Sequence, residues 1–226
     1  MTRRANARLA GFTFLFYIAV AFPSMILSNR ATAGAGIPAK LATLREHVMD
    51  MRLTVVLTLL SGLCALTLAV TLYAITRDED RDLARLGMLC RAGEGIIGSF
   101  AVSTLGLIWL ATAGDVSSPD AAGAAALASF FLKRDVWSYG TAAFLFSVGS
   151  TLFAFLMLRG RMIPSAMAWL GVVGSLLVVI ELPLELAGFV RGPLTQLVWI
   201  PVALFELTLG PWLIIKGVAP SRGEVA

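Results

Sequence analysis

The sequence predicts an all-α protein, a polytopic transmembrane bundle of about six spans with short interfacial helices in its two long outer loops, and three observations lead there. The 226 residues are 58% hydrophobic and 14% charged, with a mean hydropathy of +0.85, too apolar for a surface that faces water. Six stretches reach the roughly 20 mainly apolar residues a helix needs to cross a hydrocarbon core. These stretches use most of the chain, and the longest polar connections, about 22 residues each, leave no soluble domain of useful size. The whole chain, 1–226, therefore reads as one membrane domain.

The first span covers residues 9–27 and follows Arg3, Arg4 and Arg8. It resembles a signal peptide, with Ala31-Thr32-Ala33 in the place of a cleavage site. However, such an apolar region is normally about 7–15 residues, and this one is longer and contains Pro23, so it is read as a span. After Pro38, the residues Leu41, Leu44, Val48 and Met51 keep helical spacing and predict a short helix on the membrane surface. The second span is 51–76, followed by Arg77-Asp78-Glu79-Asp80-Arg81-Asp82, a solvated charge run. The third span is 86–113. Beyond it, Ser117-Ser118-Pro119 reads as an N-cap with proline in the first turn, opening an Ala-rich helix that ends at Lys133. Spans four, five and six cover 136–158, 164–190 and 194–215. Only Arg191-Gly192-Pro193 joins the last two, which makes them antiparallel neighbours. No internal repeat is visible, which weakens an inverted-repeat transporter.

Orientation follows from the cations. One side carries Arg3, Arg4, Arg8, Arg77, Arg81, Arg85, Arg159, Arg161, Lys216 and Arg222, ten in all. The other has seven: Arg30, Lys40, Arg45, Arg52, Lys133, Arg134 and Arg191. The positive-inside rule then places both termini in the cytoplasm. Because the cations flank apolar segments, the net charge of +4 marks topology, and no nucleic-acid partner is expected.

An ionisable group inside a bilayer costs at least a few kcal/mol and usually faces the bundle interior with a partner. At about 1.5 Å per residue, Glu206 lies roughly 15 Å from Lys216 and Glu94 about 12 Å into its span. Arg91 is one turn shallower, and its spacing of three puts it on the same face as Glu94. Arg91, Glu94 and Glu206 thus form a candidate buried cluster, readable as a structural clamp or as a substrate or proton site. A second candidate set lies toward the outer face: Glu181 and Glu185, one turn apart around Pro183, with His47, Asp50 and Arg52 at the start of span two. There, hydration at the interface and a proline bend are the plainer readings. Pro201 and Pro211 bracket Glu206, and each leaves a helical carbonyl without its usual donor. Gly171-x-x-Gly174 and Gly95-x-x-Gly98 allow close helix approach. Trp137, Trp169, Trp199 and Trp212 lie toward span ends and read as interfacial anchors.

Several chemistries lack their residues. Cys64 and Cys90 have no CxxC spacing, so buried thiols are expected and no metal. A single histidine, His47, does not make a bis-His haem or a zincin site. Ser61 and Ser150 have no intramembrane histidine to activate them, and no phosphate-binding loop or dinucleotide fingerprint is present. Neither an enzyme nor a cofactor is expected.

Taken together, several motifs resemble those of the bacterial domain-of-unknown-function 4386 membrane family over nearly the whole chain. They are Arg52 opening span two, Arg91 with Glu94, Ser138-Tyr139-Gly140, Ile163-Pro164, and Glu206 through Trp212-Leu213-x-x-Lys216-Gly217. Where the family tends to have Ser-Gly before its leucine-proline, this chain has Arg159-Gly160-Arg161-Met162-Ile163-Pro164, a departure in the inner loop. The resemblance implies a multi-span helical membrane protein and brings no activity, cofactor or catalytic residue with it. The expected role is to bind a lipid-like or small apolar ligand, or a membrane partner, within the bundle. The alternative is a proton-linked transporter or channel using buried carboxylates, and an intramembrane lipid-acting enzyme comes last. Membrane lipids, a membrane-protein partner or further copies of the chain are the expected partners.

Overall fold

A computed structural model describes residues 2–112, 121–192 and 194–219. Among them it contains the helices α1 (Arg3–Ala31), α2 (Gly36–Glu46), α3 (Val48–Thr76), α4 (Arg81–Gly98), α5 (Val102–Thr112), α6 (Ala121–Arg159), α7 (Ser165–Leu186), α8 (Leu194–Leu197) and α9 (Trp199–Ile215). Six units are long and apolar enough to cross a membrane: α1, α3, α4 with α5, α6, α7, and α8 with α9. The expected all-α membrane bundle is what forms.

Local chemistry sets the helix ends. Thr2 caps α1 by accepting from the Ala5 N–H at 3.2 Å. Asp80 caps α4, its Oδ1 accepting from the Asp82 and Leu83 N–H groups at 3.2 and 3.1 Å, so the charge run contains a helix start. Past α7, Gly188 takes a φ of 80°, a left-handed conformation that a side chain resists, and the helix stops short of the predicted residue 190.

The spans close into a ring. Helix α1 packs on α3, α3 on α4, α4 on α6, α6 on α7 and α7 on α9, and α9 returns to α1. The last contact is tight: a Cβ on Gly11 would stand 2.5 Å from the Gly210 carbonyl oxygen. The predicted glycine pairs act similarly. A Cβ on Gly171 would meet the Phe205 ring at 2.6 Å, and one on Gly95 would meet Ala65 Cβ and the Gly62 oxygen at 3.0 Å.

One end of the ring is filled by a cluster that includes Phe14, Leu72, Phe153, Met157, Phe205 and Leu213. The other is closed by Leu41, Leu44, Met51, Leu107 and Ala128. Many large apolar side chains point outward instead, such as Phe12, Val70, Leu89 and Ile200, as lipid-facing residues should.

Four expectations change. The first surface helix exists, as α2, but Leu41 and Leu44 pack inward against α5 and α6 and do not lie on lipid. The second does not stand alone: from Ala121 the Ala-rich segment runs straight into span four as one 39-residue helix, because nothing around Lys133 breaks the helical pattern. Its proposed cap, Ser117-Ser118-Pro119, lies outside the described residues. Span three is interrupted at residues 99–101, where the Ser99 N–H returns to Gly95 and the Ser99 hydroxyl donates to Ile96 O at 3.2 Å. Span six is broken at Val198, so Pro201 sits in the first turn of α9, where a missing N–H costs little.

Candidate functional site

Between the two apolar ends of the ring lies a charged layer built from four helices. Arg91 on α4 is fully buried, at 0% exposure, and is among the largest side chains so enclosed. Its Nη1 lies 3.0 Å from Oε2 of Glu94, one turn along the same helix and also buried. From α1, the Tyr17 hydroxyl donates to the other carboxyl oxygen, Oε1, at 2.9 Å. From α6, the Phe146 ring covers the guanidinium with its centroid 4.7 Å from Cζ, a cation–π contact in a dry setting. One turn further along α6, Gly149 makes room for the arginine stem, since a Cβ there would stand 2.9 Å from Arg91 Cγ.

Glu206 approaches from α9. It is half-buried, its Oε1 is shielded and without a hydrogen-bond partner, and its charge is within electrostatic reach of Arg91, Glu94 and Tyr17. The structure therefore pairs Arg91 with Glu94, as their spacing of three suggested, and sets Glu206 within electrostatic reach of the pair without a direct ion pair among the described residues. The guanidinium is not saturated by this setting. Its contact with Glu94 is close but poorly aligned, and neither Nε nor either Nη has a hydrogen-bond acceptor among the described residues. Buried donors in that condition are costly, on the order of 1–3 kcal/mol each.

The layer includes residues that sequence reasoning passed over. Tyr17 carried a usable signal, because it lies nine residues beyond Arg8, about 14 Å deep and level with Glu94. Phe146 and Gly149 carried none, since only the packing of α6 on α4 gives them a role.

The outer set does not form one pocket. His47 and Asp50, at the start of α3, pair through Nδ1 and Oδ2 at 3.2 Å, and Arg30 Nε lies 3.8 Å from the same oxygen. Arg52 is exposed, and its polar contact among the described residues is the 3.9 Å approach to Met49 Sδ. Glu181 and Glu185 sit on α7, whose ring neighbours are α6 and α9, whereas those of α3 are α1 and α4. The two groups share a level but not a side of the ring, and depth alone carries no information about direction around it. Both carboxyl oxygens of Glu181 are shielded without a partner, and Glu185 is the charge nearest in effect to it.

Among the described residues, no three of His, Cys, Asp and Glu stand together to hold a metal ion, and Cys64 and Cys90 are buried free thiols. The family model described as "Domain of unknown function (DUF4386)" matches residues 9–217. No curated protein and no solved structure matches the chain.

Proposed function

The chain belongs to the DUF4386 family, and from that premise we propose a non-catalytic protein of the bacterial inner membrane, termini in the cytoplasm, whose bundle binds the polar end of a lipid-like ligand at the Arg91 layer. The observation that carries this reading is the arginine itself: fully buried, stacked on Phe146, with Nη1 in an ion pair with Glu94 and no well-aligned hydrogen-bond acceptor for any of its nitrogens among the described residues. A carbonyl, hydroxyl or ester oxygen supplies the acceptor such donors require, and an attached apolar chain suits the surrounding side chains. Half-buried Glu206 on α9 marks the side from which such a head would enter from lipid. Membrane lipids are the expected partners, ahead of a membrane protein or a second copy of the chain.

Native mass spectrometry of the purified protein tests this. Wild type is expected to retain a co-purified amphipathic species that Glu206→Gln and Arg91→Ala release. Absence of any bound species from wild type, together with no cross-linked partner in membranes, would overturn it.

A second reading rests on a different observation, one carboxylate paired with the guanidinium and a second within its electrostatic reach. One positive charge balances one of them, so the second can exchange a proton, as a proton-linked transporter or channel requires. In proteoliposomes, that reading expects pH-driven flux abolished by Glu206→Gln in a protein that still folds, and flux unchanged in the variant would sink it. A lipid-acting enzyme has least support, because His47 is engaged with Asp50 at the opening of α3, not at the charged layer.

A further inference from the structure

The end of the ring that carries α2 has a groove between α2 and the first half of α6, holding about 310 Å³. Its walls are Ile37, Leu132, Val136 and Trp137, and the stems of Lys40 on α2 and Lys133 on α6 border it. Among the described residues neither lysine has a carboxylate partner. Nearby Arg134 is turned elsewhere, donating to Ser103 at 2.8 Å with its Cζ 5.6 Å from the Phe100 ring centroid. Asp135 is two positions beyond Lys133 and so falls on a different helix face.

The length of α6 places this groove relative to the membrane. Arg159 ends α6 at the opposite face, and Trp137 is 22 residues before it, about 33 Å along the axis. Lys133 is a turn further, at about 39 Å. With a hydrocarbon core of about 30 Å, both lie at the level of lipid headgroups. Trp137 is 56% exposed and Tyr139 68%, as interfacial aromatics are.

We propose that this groove is a binding site for an anionic phospholipid. Lys40 and Lys133 flank its phosphodiester, Ile37, Leu132 and Val136 receive the glycerol end of an acyl chain, and Trp137 closes the interfacial side. Two cationic residues without a carboxylate partner among the described residues, one on each helix bordering an apolar trough and Lys133 at headgroup depth, complement a negatively charged head on an apolar tail. The site is independent of the Arg91 layer.

The test uses the full-length protein in micelles carrying phosphatidylglycerol and phosphatidylcholine in equal amounts, read by native mass spectrometry. Wild type is expected to favour phosphatidylglycerol by about thirtyfold, the effect of two interfacial lysines. The double variant Lys40→Gln with Lys133→Gln should bring the ratio near unity. Ser129→Phe keeps both charges but fills the groove, of which Ser129 is also a part, and should lose the lipid as well. Arg77→Gln with Arg85→Gln removes the same charge from the other membrane face and should leave binding unchanged. Four results would each overturn the proposal: no preference in wild type, preference surviving loss of both lysines, lipid retained in Ser129→Phe, which would indicate diffuse charge without a site, or full displacement by millimolar inorganic phosphate.

Discussion

Arg91, Glu94 and Glu206 meet in one layer of the ring, whereas His47, Asp50, Arg52, Glu181 and Glu185 divide between α3 and α7. Both sets were grouped by depth, yet only one assembled. Each set contains pairs on a single helix, Arg91 with Glu94, His47 with Asp50 and Glu181 with Glu185, which covalent geometry brings to one face wherever the helix packs. The difference is that Glu206 on α9 comes within electrostatic reach of the Arg91 pair, whereas α3 and α7 are not ring neighbours. The outer set was joined across helices by level alone. A membrane lends a protein a depth coordinate, but the angle around the bundle is set by which helices touch.

Breaking the assembled set should have the largest effect. Arg91→Ala leaves Glu94 as an uncompensated buried charge and should destabilise the protein by about 3–5 kcal/mol. Unfolding in mixed micelles with a graded denaturing detergent would measure it, and a loss under 1 kcal/mol would mean that water, not Arg91, stabilises Glu94. Tyr17→Phe removes one charge-assisted hydrogen bond at nearly constant volume, and the same measurement should show a loss of about 1.5–3 kcal/mol. The smallest effect sharpens the comparison from the other side. In a double-mutant cycle, His47→Ala and Glu181→Gln should be additive within about 0.5 kcal/mol, as expected of residues without shared partners. Coupling above that would reunite the outer set, and Arg91→Ala with Glu94→Gln provides the strongly coupled reference.

Legibility varied in the same way along the chain. Apolar length anticipated the six long apolar helices, because lipid demands a self-satisfied backbone over a minimum distance. Helix breaks were less visible. The stop at Ser99 depends on a close approach, since a Cβ on Gly62 would stand 2.5 Å from the Ser99 Cβ, and neither residue announces a break from its own helix. The Ala-rich segment before Lys133 misled in the opposite sense: a charged stretch looked like a boundary, while helix propensity carried α6 across it. Arg161 shows a conflict that only coordinates expose. It takes a φ of 51°, a left-handed conformation that glycine would adopt more readily, in the loop between α6 and α7.

What the sequence determined by itself was the all-α class and the six stretches long and apolar enough to cross a membrane, one-dimensional quantities that follow from composition and rise per residue. Tertiary structure decided which helices adjoin. It closed α1 onto α9 through Gly11 and Gly210, set Phe146 over a guanidinium three helices away from Tyr17's own, and opened a lysine-flanked groove between α2 and α6. Those neighbours arise from side-chain volumes fitting across helix surfaces, and no spacing along a single chain encodes the angle at which two helices meet.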